Sequence, residues 1–307
     1  MRVGVVDIGT NSTRLLVCQV APDGSVVELD RRSEVTRLGE GVDGSGALQP
    51  APMERVFRTL EAYREAIDAR GVDRTSAVMT SAVRDASNGR WFEEEVRRRF
   101  GWAARTLSGD EEAAMTFRGA MSERRSPSAG QGVVIDIGGG STEFIVGQGG
   151  EMTFHVSLQI GVVRLGERHI HTDPPDPAEL QALAADARRA IVAGLATPSR
   201  QPVHWAIAVA GTPTAAAAIE QELDPYDPAR VHGYQLELGT CELLLARLAA
   251  MTERERRSVV GLHPDRAPVI VPGLIILIES LRAFDLDRVE VSEHDILRGA
   301  ALEAAGV

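Results

Sequence analysis

The chain has 307 residues, 44% of them hydrophobic, which is enough for a sizeable core and for two domains. Its formal net charge of −11 argues against generic nucleic-acid binding, which needs a basic face, and no apolar run approaches the roughly 18 residues of a membrane span. All 33 basic residues are arginine, so lysine Schiff-base chemistry and a lysine-bearing Walker loop are excluded.

The chain enters a strand at once, over 3–7, without the charged-then-apolar layout of a signal peptide, which predicts a cytoplasmic protein. That strand ends in Asp7-Ile-Gly-Thr-Asn-Ser, and a second apolar strand follows over 14–20. A further strand is expected over 25–37, a helix over 51–69 and a strand over 76–80. The segment TSAVRDASN (80–88) places Arg84 near that strand's end, where it could clamp a phosphate or pair with Asp85. Helices over 88–100 and 109–121 flank a strand over 104–107. Between them, LSGDEEA loads a first helical turn with Asp110, Glu111 and Glu112. Part of that cluster answers the helix dipole, and one of the glutamates can serve as a general base.

The polar stretch 122–131 reads as a linker, with the domain boundary near 125 (domains 1–125 and 126–294). Directly after it, VVIDIGGGST repeats the pattern of VGVVDIGTNS, with Asp136 placed 129 residues after Asp7. Strands over 133–137, 142–147 and 151–158 precede helices near 161–171 and 176–196. A buried strand over 204–209 runs through AGTPT into a helix, and helices near 236–250 and 269–283, a strand over 288–291 and a helix over 295–305 close the chain. The order predicts two duplicated α/β domains.

The two Asp-Ile-Gly turns carry the chemistry. Glycines let successive N–H groups face a ligand, which makes an anion nest, and the neighbouring hydroxyls add donors. Gly9, Thr10, Asn11 and Ser12 form one nest; Gly138, Gly139, Gly140, Ser141 and Thr142 form the other. With no lysine, any phosphate must be held by such N–H groups, hydroxyls, arginine forks or a metal ion. An aspartate beside a phosphate makes sense when it orders water on a divalent cation. The turn at Gly211 and Thr212 either binds a third anion at a helix N-terminus or is a plain N-cap, Thr212 before Pro213. His169 and His171 are spaced for opposite faces of a helix, and Cys18 and Cys241 read as buried thiols, so no His- or Cys-based metal site is expected.

DIGTNSTRLLV (7–17), SEVTRLGEGVD (33–43), MTSAVRDASN (79–88), LSGDEEA (107–113) and DIGGGSTEF (136–144) occur in order. SLQIGVVRLGE (157–167), AGTPTA (210–215) and RERRSVVGLHPDRAPVIVPGLIIL (254–277) continue the series. Together they resemble the exopolyphosphatase/guanosine pentaphosphate phosphohydrolase family over most of the chain. The resemblance implies the actin-like, ribonuclease H-like fold of the actin/Hsp70/sugar-kinase superfamily. In that fold two α/β domains face each other across an active-site cleft, and the C-terminal helix 295–307 returns to the first domain. It implies a cytoplasmic homodimer that uses Mg2+, or Mn2+, to hydrolyse terminal phosphate from inorganic polyphosphate or guanosine penta- or tetraphosphate. Motif by motif it makes Glu112 the base, Arg84 the phosphate-binding arginine, Asp136 and Glu143 the acids at metal and water, and Asp7 their counterpart.

Two departures stand out. Many members of the family carry a further C-terminal region, including an HD-type domain, that extends the polyphosphate channel; none is expected here, so short polyphosphate chains are expected to serve at least as well as long ones. Pro268 stands where the family often has an aspartate. A non-catalytic polyphosphate or alarmone sensor and a sugar or acid kinase are the alternatives.

Overall fold

The computed structural model describes residues 1–123, 130–195 and 203–307; most of the linker expected over 122–131 lies outside them. The chain divides into two units, Met1–Arg124 with His294–Val307, and Arg125–Glu293.

The first unit contains β1 (Arg2–Ile8), β2 (Thr13–Val20), β3 (Val26–Glu34), α1 (Val42–Ser45), α2 (Pro50–Ala69), β4 (Arg74–Met79), α3 (Ser81–Asp85), α4 (Gly89–Phe100), β5 (Ala103–Thr106) and α5 (Gly109–Met121). Its sheet runs β3-β2-β1-β4-β5. β1 to β3 are antiparallel neighbours, and β4 and β5 run parallel to β1. β1 and β2 are apolar without alternation because both sheet faces are covered. Val6, Ile8, Leu15 and Val17 pack with Leu60, Tyr63 and Phe92 of α2 and α4. Val3, Val5, Leu16 and Cys18 pack on the other face with Met115 of α5 and Leu297 and Ala301 of the terminal helix. The strand expected to reach 37 stops at Glu34, and Arg37 turns the chain with a φ of 49°.

The second unit contains β6 (Gln131–Ile137), β7 (Thr142–Gln148), β8 (Glu151–Leu158), α6 (Val162–His169), α7 (Pro177–Gly194), β9 (Val203–Val209), α8 (Gly211–Glu220), α9 (Pro228–Val231), β10 (Gln235–Glu237), α10 (Leu238–Ala249), α11 (Glu253–Arg256), α12 (Ile270–Ala283) and β11 (Arg288–Val291). Its sheet runs β10-β11-β9-β6-β7-β8. Read from β8 to β11, the order and directions match those of the first sheet, with β10 as an added edge. The duplication seen in the two loop sequences is therefore a duplication of whole sheets. α12 runs through the core, buried from Ile270 to Leu281. Residues 236 and 237, expected at the start of a helix, instead belong to β10, which pairs with β11, and α10 begins at Leu238.

The chain's last helix, α13 (Ile296–Ala305), folds in the first unit against α5. The two helices approach through glycines. A Cβ on Gly119 would lie 1.9 Å from the Asp295 carbonyl oxygen, and one on Gly299 would lie 1.9 Å from that of Met115. Among the described residues, no helix is long and apolar enough to cross a membrane.

Candidate active site

The two Asp-Ile-Gly turns have the same geometry. Gly9 N–H donates to the Ser12 carbonyl at 3.0 Å, and Gly138 N–H donates to the Ser141 carbonyl at 3.0 Å. In the first loop the Thr10 carbonyl accepts from Gly39 N–H and the Asn11 carbonyl from Arg37 N–H, both at 2.8 Å. In the second, the carbonyls of Gly138 and Gly139 accept from Val162 and Val163 N–H at 3.0 and 2.9 Å, and that of Gly140 accepts from Arg164 Nε at 2.9 Å. A trans peptide points its N–H opposite to its C=O. Anchoring these carbonyls on one side therefore turns the N–H groups of Asn11 and Ser12, and those of Gly139, Gly140 and Ser141, to the other, as an anion nest requires. The anchors come close: a Cβ on Gly161 would stand 2.2 Å from the Gly139 carbonyl oxygen, and one on Gly39 would stand 2.1 Å from Thr10 Cγ2. Sequence reasoning had no role for the RLG and IGVVR segments; they hold the loops.

Not every loop hydroxyl faces a ligand. Thr10 Oγ1 bonds Ser81 Oγ at 2.9 Å and accepts from Ala82 N–H at 3.2 Å, which ties the first loop to α3. Thr142 Oγ1 donates to the Ile160 carbonyl at 2.5 Å.

Arg84 lies within the short helix α3 rather than at the strand end. Its Nη1 donates to Glu112 Oε2 at 2.7 Å and to the Leu107 carbonyl at 3.1 Å, while Asp85 is 3.9 Å from its Nε. The structure separates the neighbouring glutamates. Glu111 completes a capping box with Ser108 and also accepts from Arg105, and the Ser108 backbone N–H holds its carboxyl below the usual range. Glu112, one residue on, turns inward and is buried. Burial pushes its carboxyl up to about 7, against the pull of Arg84 and with help from the charges of Asp7 and Asp85. A carboxyl that titrates near neutrality fits a general base.

Asp7 opposes Arg14 in the β1–β2 register, at the position where Asp136 opposes Glu143 in β6–β7. Arg14 donates from Nε and Nη2 to Asp7 Oδ2 at 3.0 and 2.6 Å and from Nη1 to Asp295 Oδ2. All three groups are largely buried. Burial pushes the Asp7 carboxyl up; at Asp295 burial pulls the same way, but Arg14, Arg31 and the Leu297 N–H together hold that carboxyl down. Asp7 Oδ1 is buried and accepts no hydrogen bond. Arg14 and Asp295 were missed at sequence level, since nothing local links residues so far apart.

In the second unit Asp136 and Glu143 are buried cross-strand partners, and Ser157 Oγ donates to Glu143 Oε1 at 2.7 Å. These two acids offer the oxygen donors that a hard divalent cation takes, as in the first unit does the orphaned Oδ1 of Asp7. At the third turn α8 begins at Gly211, with Ala210 at a φ of 70° before it, so Thr212 is not the N-cap. A Cβ on Gly211 would fall 1.4 Å from Arg266 Nη1, so only glycine lets this guanidinium lie against the start of the helix. Pro268 sits between the 3-10 turn Pro264–Arg266 and α12.

The Ppx/GppA phosphatase family model matches residues 5–304. Exopolyphosphatase 2 of Mycobacterium tuberculosis is 36% identical over 99% of this chain and 99% of its own. Guanosine-5'-triphosphate,3'-diphosphate pyrophosphatase of Vibrio atlanticus is 30% identical over 97% of this chain and 58% of its own. The crystal structure of the Ppx/GppA family member of Aquifex aeolicus, 30% identical, gives a TM-score of 0.82 over 99% of this chain and 97% of that one. With its loops, its paired sheets and these matches along almost its whole length, the chain belongs to the Ppx/GppA phosphatase family.

Proposed function

We propose that the protein is an exopolyphosphatase that hydrolyses the terminal phosphoanhydride of inorganic polyphosphate. The observation that carries this is Glu112, a buried carboxyl brought up to about 7 and held 2.7 Å from Arg84. Glu112 takes a proton from the attacking water while the bridging P–O bond breaks. The bond's electron pair leaves on the end of the shortened chain, and the proton stays on the Glu112 carboxyl. Arg84 binds the terminal phosphate and neutralises its charge. The N–H groups of each glycine loop offer a cradle for a phosphate, and Arg266 with the Gly211 turn offers a further anion contact.

Asp136 and Glu143 in the second unit, and Asp7 in the first, would each offer oxygen ligands to Mg2+, or Mn2+, and Glu143 would orient a water. When bound, the cation neutralises phosphate oxygens and lowers the cost of the developing charge. The same cleavage applies to guanosine pentaphosphate, a reading supported by the likeness to the Vibrio atlanticus enzyme.

A substrate panel tests the proposal: short and long polyphosphate, guanosine pentaphosphate, ATP and ADP, each with Mg2+ and with Mn2+. Phosphate release is expected to be fastest from polyphosphate. Preference for the guanosine nucleotide would move the assignment to the second reading, and no release from polyphosphate of either length would overturn the first.

A further inference from the structure

Arginine and carboxylate groups commonly meet as a two-pronged fork, with two nitrogens on two oxygens. Arg14 and Asp7 do not. Nε and Nη2 both donate to Oδ2, and Oδ1 is left buried with no hydrogen bond. The remaining guanidinium nitrogen, Nη1, is held by Asp295 Oδ2. Asp295 is itself fixed, because its Oδ1 accepts from Leu297 N–H at 3.0 Å as the N-cap of α13. The start of the last helix thus sets the tilt of Arg14.

We propose that Asp295 is a positioning residue for the metal site: by holding Arg14 it prevents the arginine from forking both oxygens of Asp7, and so keeps Oδ1 open as a ligand for the divalent cation or its water. This rests on the assignment of Asp7 to the metal made above. The duplicated position explains why the first loop needs such a device. Unit two places a second acid, Glu143, opposite its aspartate; unit one places Arg14 there, which would close its own aspartate unless restrained. Cut free of Asp295, the guanidinium is drawn to the one remaining carboxylate and covers Oδ1.

The test is direct Mn2+ binding, read by electron paramagnetic resonance without substrate, on the wild type, Asp295→Asn, and the double variant Arg14→Gln/Asp295→Asn. Asparagine still caps the helix, so folding is expected to survive, and thermal melts check it. Asp295→Asn should weaken Mn2+ binding about tenfold or more, the scale of lost outer-sphere support, and the double variant should recover most of that loss. A purely structural role predicts a double variant no better than the single one. That result, or unchanged Mn2+ binding in Asp295→Asn, overturns the proposal.

Should Asp295→Asn fail to fold, the double variant decides alone. Binding within about tenfold of wild type supports the proposal, and a larger loss overturns it. No Mn2+ binding by the wild type would overturn this proposal together with the metal assignment. Intact Mn2+ binding without phosphate release would count against the hydrolase assignment only.

Discussion

Replacing Glu112 by glutamine keeps the shape of the side chain and removes its charge. In the folded wild type this carboxyl titrates at about 7 rather than at its ordinary 4.5, chiefly because burial disfavours the anion. The folded state therefore binds the proton more tightly than the unfolded chain. This group's contribution to stability is complete below pH 4.5 and is lost as the pH rises to about 7. At about 1.4 kcal/mol for each pH unit between the two values, the loss is on the order of 3 kcal/mol. Glutamine does not titrate. The stability of Glu112→Gln relative to wild type should therefore improve by that amount between pH 4.5 and pH 8, whatever the other groups contribute to both proteins. Urea melts of both proteins across this range measure it. Parallel stability curves would refute the assignment of a raised, buried carboxyl. In the same variant, phosphate release at pH 8 should fall by about a hundredfold or more, the usual cost of losing a general base.

Arg84→Gln removes the cation that pulls Glu112 down, so the acid limb of the pH–rate profile should move above its wild-type position; a limb that stays in place would dissociate the two groups. Gly211→Ala drives a methyl group into Arg266, and KM for polyphosphate should rise about tenfold with a melting temperature close to wild type. Gly299→Ala forces α13 off the Met115 carbonyl and should cost about 1–3 kcal/mol in a urea melt, as overpacking does.

The duplicated sheets were legible because the evidence is local. An apolar strand, Asp-Ile-Gly and a short hydroxyl-bearing run recur with one spacing, and both strands of each hairpin stay apolar because helices cover both faces. The split between Glu111 and Glu112 was also written locally, though unread. Ser108-Gly-Asp-Glu111 has capping-box spacing, which occupies Glu111 and leaves Glu112 to face inward. The anchoring of loop carbonyls by Arg37, Gly39 and Val162 depends on backbone turns that side-chain pattern does not encode. The grip of Asp295 on Arg14 joins the two ends of the chain. At 236 and 237 an amphipathic helical pattern lost to pairing with β11, a tertiary contact that propensity cannot anticipate.

The most direct measurement is phosphate release from short-chain polyphosphate and Mg2+ in 18O-labelled water. Hydrolysis at the terminal phosphoanhydride predicts one solvent oxygen in each released phosphate, with release slowed about a hundredfold or more in Glu112→Gln and strongly in Glu143→Ala. Release without solvent oxygen, phosphate appearing on an organic acceptor, or full activity in both variants would contradict it.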